Sequence, residues 1–173
     1  MNSMPKGLII IGYPGIGKSS IVKDMNFVLN SKINLIDFES SLFNKTTGIK
    51  YPDWHIVYVN QAISLAKQGY VVLISSHECV REEIAKYRRD GWNVVSIAPS
   101  VELKDEWLDK LLDRYKRTAT EKDSMAYRAA KERYTEDVLD ISAEENMSHI
   151  TLETMEYDLS AIVEYLVKIF TNM

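Results

Sequence analysis

One short segment of this sequence has the composition and spacing of a phosphate-binding loop. Between Gly12 and Ser19 the chain fits the pattern G-x-x-x-x-G-K-[ST] at every fixed position. Glycines let the backbone wrap closely around phosphate oxygens, so that successive N–H groups point at one anion. Lys18 would supply a mobile charge for the β- and γ-phosphates, and Ser19 a hydroxyl for Mg²⁺. We therefore expect nucleotide contacts from Gly12, Tyr13, Pro14, Gly15, Ile16, Gly17, Lys18, Ser19 and Ser20.

The segments on either side of this loop have the periodicity that such a loop requires. Residues 7–11 form a short β-branched run typical of a buried strand, and residues 20–29 have helical spacing. The order strand, glycine loop, helix places the positive end of a new helix against the bound anion. The flanks therefore support the phosphate-binding interpretation.

A carboxylate is predicted close to this loop. Residues 32–37 read as a second short strand, which delivers Asp37 and then Glu39 to its carboxyl end. An acceptor hydroxyl needs a proton acceptor near its oxygen, whereas a phosphate acceptor is already an anion. Asp37 is therefore a candidate catalytic base, with a helix cap or solvated turn as the alternative.

The rest of the chain alternates strands with helices. Strands are expected at residues 70–76, 92–99 and 149–152, and amphipathic helices lie between and after them, with the last at 159–170. The run at 70–76 does not alternate, as expected of a central parallel strand covered on both faces. This pattern predicts an α/β fold with about five parallel strands, helices on both faces and a ligand site at the carboxyl ends of the strands.

A helical hairpin with several arginines is predicted between the fourth and fifth strands. Lys110, Arg114 and Arg117 share one helical face, and Arg128 and Arg133 follow on the next helix. Guanidinium groups brought in by closure would stabilise the charge of a transferring phosphoryl group. A solvated face with local ion pairs is the alternative for each arginine.

Composition limits the class of protein. The chain has 173 residues, 46% hydrophobic and 27% charged, which suits one domain over residues 1–173. A net charge of -4 gives no global attraction to nucleic acid or to an anionic membrane. The single cysteine, Cys79, excludes an intrachain disulfide. We expect no signal peptide, no membrane span and a cytoplasmic monomer or homodimer.

With these features in this order, the chain resembles the small P-loop kinases of the nucleoside and nucleotide kinase group. The resemblance implies a three-layer P-loop NTPase fold, ATP and Mg²⁺ as cofactors, an acceptor-binding segment at about 37–54 and a lid at about 114–133. Lys18, Asp37, Arg114 and Arg117 would be catalytic. Ser19 and Asp37 would hold Mg²⁺.

The acceptor would be bound by Asp37, Glu39, Trp54 and Arg81. Trp54, with Tyr51 and Tyr58, could stack a nucleobase, and the alternative is that these aromatic residues belong to the core. Arg81 would project toward the same edge of the sheet, and the alternative is an ordinary surface arginine.

One departure from the family pattern concerns the metal. Many P-loop enzymes carry an acid near the end of the central strand, but here the positions read Ser75-Ser76-His77. Asp37, Glu39 and Glu78 are the candidates for that role. His77 is either an acceptor contact or a residue at a helix start.

The leading functional hypothesis is a kinase that moves the γ-phosphate of ATP to a nucleoside, nucleotide or similar small acceptor. The alternatives are a kinase of a hydroxyl in nucleic acid, either a 5′-hydroxyl or a modified base, and a non-catalytic nucleotide-binding switch. The absence of an overall basic charge favours the small acceptor over nucleic acid.

Overall fold

The sheet at the centre of this protein is entirely parallel. A computed structural model describes residues 7–47, 49–88, 93–145 and 147–171. Its strands are β1 (Leu8–Gly12), β2 (Leu35–Asp37), β3 (Val71–Ser75), β4 (Val94–Pro99) and β5 (Ser148–Leu152). They lie in the order β2-β3-β1-β4-β5, and every neighbouring pair is parallel. The predicted α/β class with five parallel strands is confirmed.

Helices cover both faces of the sheet. They are α1 (Lys18–Lys23), α2 (Met25–Ser31), α3 (Trp54–Lys67), α4 (Glu78–Arg88), α5 (Lys104–Thr118), α6 (Glu121–Ala143) and α7 (Leu159–Thr171). Helices α3 and α4 share one apolar cluster with the sheet, and α1, α2, α5, α6 and α7 share the other. The arrangement has three layers, with a hydrophobic core on each side of the strands.

The central position of β1 explains its unbroken apolar sequence. Ile9 and Ile11 point into the core beneath α3 and α4, while Leu8 and Ile10 point into the opposite core. All four side chains are fully buried. A strand covered on both faces has no solvent side, so it needs no polar alternation.

The prediction of a single helix over residues 20–29 is wrong, because the structure has two helices in this region. The chain breaks at Asp24, whose extended backbone separates α1 from α2. The Asp24 carboxylate accepts the backbone N–H of Phe27 at 3.2 Å and so caps α2. Helical spacing continues across this point in the sequence, but the capping bond favours a new helix start.

The predicted helical hairpin between β4 and β5 is confirmed, and the connection between its two helices is short. Helix α5 ends at Thr118 and α6 begins at Glu121, so only Ala119 and Thr120 separate them. The Thr120 hydroxyl accepts the N–H of Asp123 at 3.3 Å and caps α6. The expected start of the fourth strand at Trp92 lies outside the described residues.

The carboxyl ends of three strands lie side by side along one edge of the sheet. Gly12, Asp37 and Ser75 are the last residues of β1, β2 and β3, which are neighbours. The chain continues this pairing past β2, because the N–H of Phe38 donates to the carbonyl of Leu73 at 2.9 Å. This edge is where parallel sheets bind ligands. Among the residues described, no helix is long and apolar enough to cross a bilayer.

Candidate functional site

The glycine-rich loop leaves β1 and enters α1 through two left-handed residues. Gly15 and Gly17 have φ of 95° and 109°, a region that side chains with a Cβ rarely adopt. A Cβ on Gly15 would also lie 3.0 Å from the Leu111 side chain and 3.1 Å from Nε1 of Trp107. The predicted order of strand, loop and helix is therefore present, and the left-handed backbone favours glycine at position 15, where the space for a side chain is also tight.

Two aromatic side chains hold this loop from outside. Trp107 donates its Nε1–H to the carbonyl of Pro14 at 2.9 Å, and the Tyr157 hydroxyl donates to the carbonyl of Ile16 at 2.8 Å. Their rings are nearly parallel, with centroids 6.2 Å apart. Nζ of Lys110 donates to the Tyr157 hydroxyl at 3.0 Å and lies 4.4 Å from the Trp107 ring centre. The loop is thus fixed by α5 and by the chain after β5.

Neither support was identified from the sequence. The Trp107 ring is fully buried, as helical periodicity would suggest for an apolar side chain, but its N–H bond to the loop has no sequence signal. Tyr157 lies outside any periodic segment. Lys110 was assigned to the cationic face of the lid and instead packs on these two rings.

Lys18 lies against the start of its own loop. Its Nζ donates to the carbonyl of Gly12 at 2.7 Å. Burial lowers the pKa of Lys18 to about 8, and the Asp37 carboxylate opposes this shift. Lys122 and Arg114 add to the lowering. Lys18 and Asp37 are therefore brought together as predicted, together with two cations from the α5–α6 hairpin.

The two carboxylates after β2 have different environments. Burial raises the pKa of Asp37, while the Lys18 charge lowers it. Glu39 accepts a hydrogen bond from Nζ of Lys122 at 2.6 Å, which holds the pKa of that carboxyl below its usual value. Ser41 donates to the other oxygen of Glu39 at 3.2 Å. Asp37 is thus the carboxylate beside Lys18, and Glu39 is tied to the hairpin.

Lys122 is a candidate site residue that sequence reasoning missed. It comes from the first turn of α6, and its partner Glu39 follows β2. Its position within the predicted lid, at about 114–133, is the sequence signal that could have found it.

The hairpin arginines divide into paired and exposed groups. Nε of Arg114 lies 2.9 Å from Oδ1 of Asp123, and Arg133 pairs with Glu136 and Asp137 on its own helix. Arg117 and Arg128 are exposed. Arg114 also helps to lower the pKa of Lys18, so the structure brings this hairpin arginine toward the glycine-rich loop.

Arg81 is not brought to the acceptor segment. Its side chain is buried, donates to the carbonyl of Ser76 at 3.1 Å and pairs with Glu144 at 3.1 Å. The Glu144 carbonyl in turn accepts a hydrogen bond from Nε2 of His149. His149 belongs to β5, the outer strand on the other side of the sheet from β2. Arg81 therefore joins α4 to the end of α6, and it is not a surface arginine either.

The aromatic residues of the acceptor segment pack mainly with one another. Tyr58 is fully buried, stacks on Phe38 and accepts the N–H of Ser75 at 2.9 Å. Trp54 is half-buried, with Nζ of Lys50 lying 4.9 Å from its ring centre. Tyr58 is thus a core residue that joins β2 to β3. Lys50 covers one face of the Trp54 ring, so a base stacking on that face would have to displace it.

The residues predicted to hold Mg²⁺ form a sparse donor set. In the ranges 7–47, 49–88, 93–145 and 147–171, no three His, Cys, Asp or Glu side chains are grouped to hold a metal ion. Ser19 and Asp37 would supply one hydroxyl and one carboxylate. That set suits Mg²⁺, which keeps several waters and is usually held through one or two carboxylates and substrate phosphates.

An open cavity of about 390 Å³ lies beside the glycine-rich loop. Its walls come from the loop, from α1 and from the chain between β5 and α7. Its lining includes Gly17, Ser20, Lys110, Tyr157 and Asp158. The volume is within the range of small-molecule sites. Three lining residues, Ile16, Gly17 and Ser20, are among the predicted nucleotide contacts.

Comparisons with known proteins do not assign this chain to a family. No protein-family model matches this sequence, and no curated protein matches it.

Proposed function

We propose that this protein is a P-loop kinase that transfers the γ-phosphate of ATP to a nucleoside, nucleotide or similar small acceptor. The observation that carries the proposal is the position of Lys18. It starts the helix after a strand and a loop with left-handed glycines, and it lies within electrostatic reach of Asp37 on a nearby strand end. This arrangement supplies backbone N–H groups, a cation and a carboxylate at one sheet edge.

Each group would have a distinct task in phosphoryl transfer. The loop N–H groups and Lys18 would bind the β- and γ-phosphates, and Asp37 would orient the acceptor hydroxyl and take its proton. Mg²⁺, held with Ser19 and Asp37, would neutralise charge on the phosphate oxygens. The raised pKa of Asp37 suits a group that must accept a proton, because a more basic carboxylate binds it more strongly.

The ion pairs around Lys18 support a lid role for the hairpin. Lys122 pairs with Glu39, and Arg114 pairs with Asp123, although both cations also act on Lys18. A triphosphate beside Lys18 would offer both cations a stronger partner than a single carboxylate. Binding would then draw the hairpin toward the loop and exclude water from the transferring group.

The cavity of about 390 Å³ beside the loop is the best candidate for the adenine base. It begins at Gly17 and Ser20 and extends to Tyr157. A base bound there would stay connected to phosphates held by the loop. Tyr157 already fixes the loop by donating to the carbonyl of Ile16, so its ring position is defined before any ligand binds.

Coupled measurement of ADP release tests this function. The panel should contain nucleosides, nucleoside monophosphates, small alcohols and 5′-hydroxyl oligonucleotides. We expect release that depends on one acceptor class, and a loss of about 10² to 10³ in rate for Lys18→Ala, as for other single charge-stabilising contacts. Lys23→Ala changes an exposed lysine on the same helix and is the matched control.

Two results would contradict the proposal. Near-normal turnover in folded Lys18→Ala would remove the loop from catalysis. Tight ATP binding with no acceptor-dependent release across the panel would favour the nucleotide-binding switch.

A further inference from the structure

His77 follows β3, at the sheet edge where Gly12, Asp37 and Ser75 end their strands. The residue is exposed, so a ligand can reach it. The proposed reaction assigns it no task. The sequence left two interpretations of His77, an acceptor contact and a residue at a helix start, and the contacts of its ring distinguish them.

The His77 ring bonds back to β3 instead of forward to α4. Its Nδ1 lies 2.9 Å from the Ser75 hydroxyl, within hydrogen-bond distance. Among the described residues, the ring makes no bond to an N–H in the first turn of α4. His77 is therefore not a side-chain cap of the helix that follows it. The bond to Ser75 occupies one ring nitrogen and leaves Nε2 for a ligand.

The start of this segment is tied to the end of β2 by one buried hydroxyl. The Ser75 N–H donates to the Tyr58 hydroxyl at 2.9 Å, and the same hydroxyl donates to the carbonyl of Phe38 at 2.5 Å. Phe38 comes directly after Asp37. The segment that carries His77 is thus fixed beside the strand end that carries Asp37.

The end of the segment is held by Arg81. Its Nε donates to the Ser76 carbonyl at 3.1 Å, and its backbone N–H donates to the His77 carbonyl at 3.0 Å. The side chain is buried and pairs with Glu144 at 3.1 Å. A buried ion pair adds little net stability, because both charges lose water. What this pair does is hold the backbone at an exposed histidine.

The His77 ring contacts the predicted acceptor segment. It lies edge-to-face with Trp54, with ring centroids 5.3 Å apart, and Nζ of Lys50 lies 4.9 Å from the Trp54 ring centre. Desolvation by the surrounding chain lowers the pKa of His77 to about 4, and the charges of Lys50 and Lys18 add to the lowering. The imidazole is therefore neutral near pH 7, within electrostatic reach of both the acceptor segment and the glycine-rich loop.

The chemistry of a neutral imidazole selects its partner. A neutral ring nitrogen either donates or accepts one hydrogen bond, and a hydroxyl can do both. We propose that Nε2 of His77 hydrogen-bonds a hydroxyl of the phosphoryl acceptor, and that Ser75 is a positioning residue that holds the ring for this contact. This inference rests on the proposed kinase function and names a further contact in its acceptor site.

Steady-state kinetics test the contact, with the acceptor that gives the highest kcat/KM in the ADP-release panel. His77→Ala should raise the KM for this acceptor about threefold to tenfold, the effect of one hydrogen bond. The kcat should hardly change, because the bond is made equally in the ground state and the transition state. Calorimetry should show an unchanged Kd for MgATP.

Two further variants control this experiment. His77→Gln can place an amide nitrogen near the position of Nε2, so it should recover most of the acceptor affinity that His77→Ala loses. Tyr165→Ala removes an exposed ring from α7, on the other face of the sheet from α3 and α4, and should change neither the KM nor the Kd.

Ser75→Ala tests the positioning role through a double-mutant cycle. Loss of the hydroxyl releases the ring, so Ser75→Ala alone should raise the acceptor KM about twofold to fivefold. In the His77→Ala background it should raise the KM no further, since the two residues act through one contact. Equal effects in both backgrounds would show that Ser75 acts independently of His77 and would overturn the positioning role.

The outcomes separate this inference from the kinase function. An unchanged acceptor KM in folded, active His77→Ala would overturn the contact and leave the kinase function standing. A KM as high in His77→Gln as in His77→Ala would also overturn it, because the hydrogen bond would not be the cause. If no acceptor stimulates ADP release by the wild type, the proposed function fails and the acceptor contact fails with it.

Discussion

Lys18 lies within electrostatic reach of two carboxylates and two cations. Its pKa near 8 follows first from burial, since the charged amine loses water when it folds against the loop. A lysine with this pKa is only partly protonated in mildly alkaline solution. Any role that depends on its charge must therefore depend on pH in an accessible range.

We expect the affinity for MgATP to fall as pH rises through about 8. Phosphate binds the charged amine and raises its pKa toward the usual value, so binding takes up a proton between the two pKa values. The logarithm of the association constant should therefore fall with a slope approaching about -1 per pH unit. Isothermal titration calorimetry on either side of pH 8 measures this slope.

Lys18→Met keeps much of the side-chain shape without the charge and is the control. It should bind MgATP more weakly, with no such slope over the same range. An equally steep slope in Lys18→Met would assign the titration to another group.

Replacing Asp37 should change both the rate of phosphoryl transfer and the pKa of Lys18. Asp37→Asn keeps the shape and removes the proton acceptor, so kcat with a hydroxyl acceptor should fall about 10²-fold or more. Because the Asp37 carboxylate raises the pKa of Lys18, the variant should also lose ATP affinity at a lower pH than the wild type. Steady-state kinetics and the calorimetric pH series measure the two effects.

Asp140→Asn makes the same change at an exposed position in the second half of α6 and should alter neither quantity. A folded Asp37→Asn protein with wild-type kcat on its best substrate would remove Asp37 from the catalytic residues.

At the scale of elements, the α5–α6 hairpin has contacts on two sides of the glycine-rich loop. Trp107 of α5 donates to the loop, and Lys122 of α6 reaches Glu39 beyond β2. The hairpin thus connects the loop to the acceptor segment. If the hairpin closes over a ligand, both of these contacts should change. If the hairpin instead binds nucleic acid, its exposed arginines would contact the backbone phosphates and the hairpin need not move.

Replacing both Arg114 and Arg117 by alanine separates these two roles. If the hairpin is a lid, kcat at saturating substrate should fall about 10²-fold, because closure completes the charge stabilisation of the phosphoryl group. Most of this loss should appear in Arg114→Ala alone, since Arg114 contributes to the lowered pKa of Lys18 and Arg117 is exposed. Acceptor binding measured without ATP should hardly change.

Lys67→Ala, which removes an exposed cation at the end of α3 and outside the hairpin, is the control. Oligonucleotide affinity at several salt concentrations tests the alternative. Steep salt dependence in the wild type, with a slope that shrinks by roughly 0.7 per lost contact in the double variant, would favour a nucleic-acid surface over a lid.

At the scale of the whole molecule, the residue before the central strand β1 packs directly against neighbouring backbone. A Cβ on Gly7 would lie 2.4 Å from the carbonyl oxygens of Ala66 and Tyr70. Both are backbone atoms, at the end of α3 and just before β3, so neither can move as a flexible side chain would. The approach of β1 to this corner requires glycine.

Gly7→Ala should therefore destabilise the entire domain, by about 1–3 kcal/mol, because the added methyl must displace packed backbone. Urea denaturation followed by circular dichroism measures the free energy of unfolding. Ser64→Ala, exposed in the middle of α3, should stay within about 0.5 kcal/mol of the wild type. A Gly7→Ala protein as stable as this control would contradict the packing at the start of β1.

The glycine-rich loop and the alternation of strands and helices could be predicted because their signals are local. The pattern from Gly12 to Ser19 is contiguous, and strand and helix periodicities repeat within ten or so residues. The proximity of Asp37 to Lys18 also followed, since neighbouring parallel strands end at the same sheet edge. For these features, short-range patterning and sheet topology were enough.

The remaining contacts depended on tertiary structure. Trp107 meets Pro14 across 93 positions of sequence, Tyr157 meets Ile16 across 141, and Lys122 meets Glu39 across 83. Arg81 was expected near β2 and instead pairs with Glu144, 63 positions away. Periodicity shows which face of a helix is apolar, but it does not show which neighbour that face meets. Only the packing of helices against the sheet decides which polar atoms at their edges come within hydrogen-bond distance.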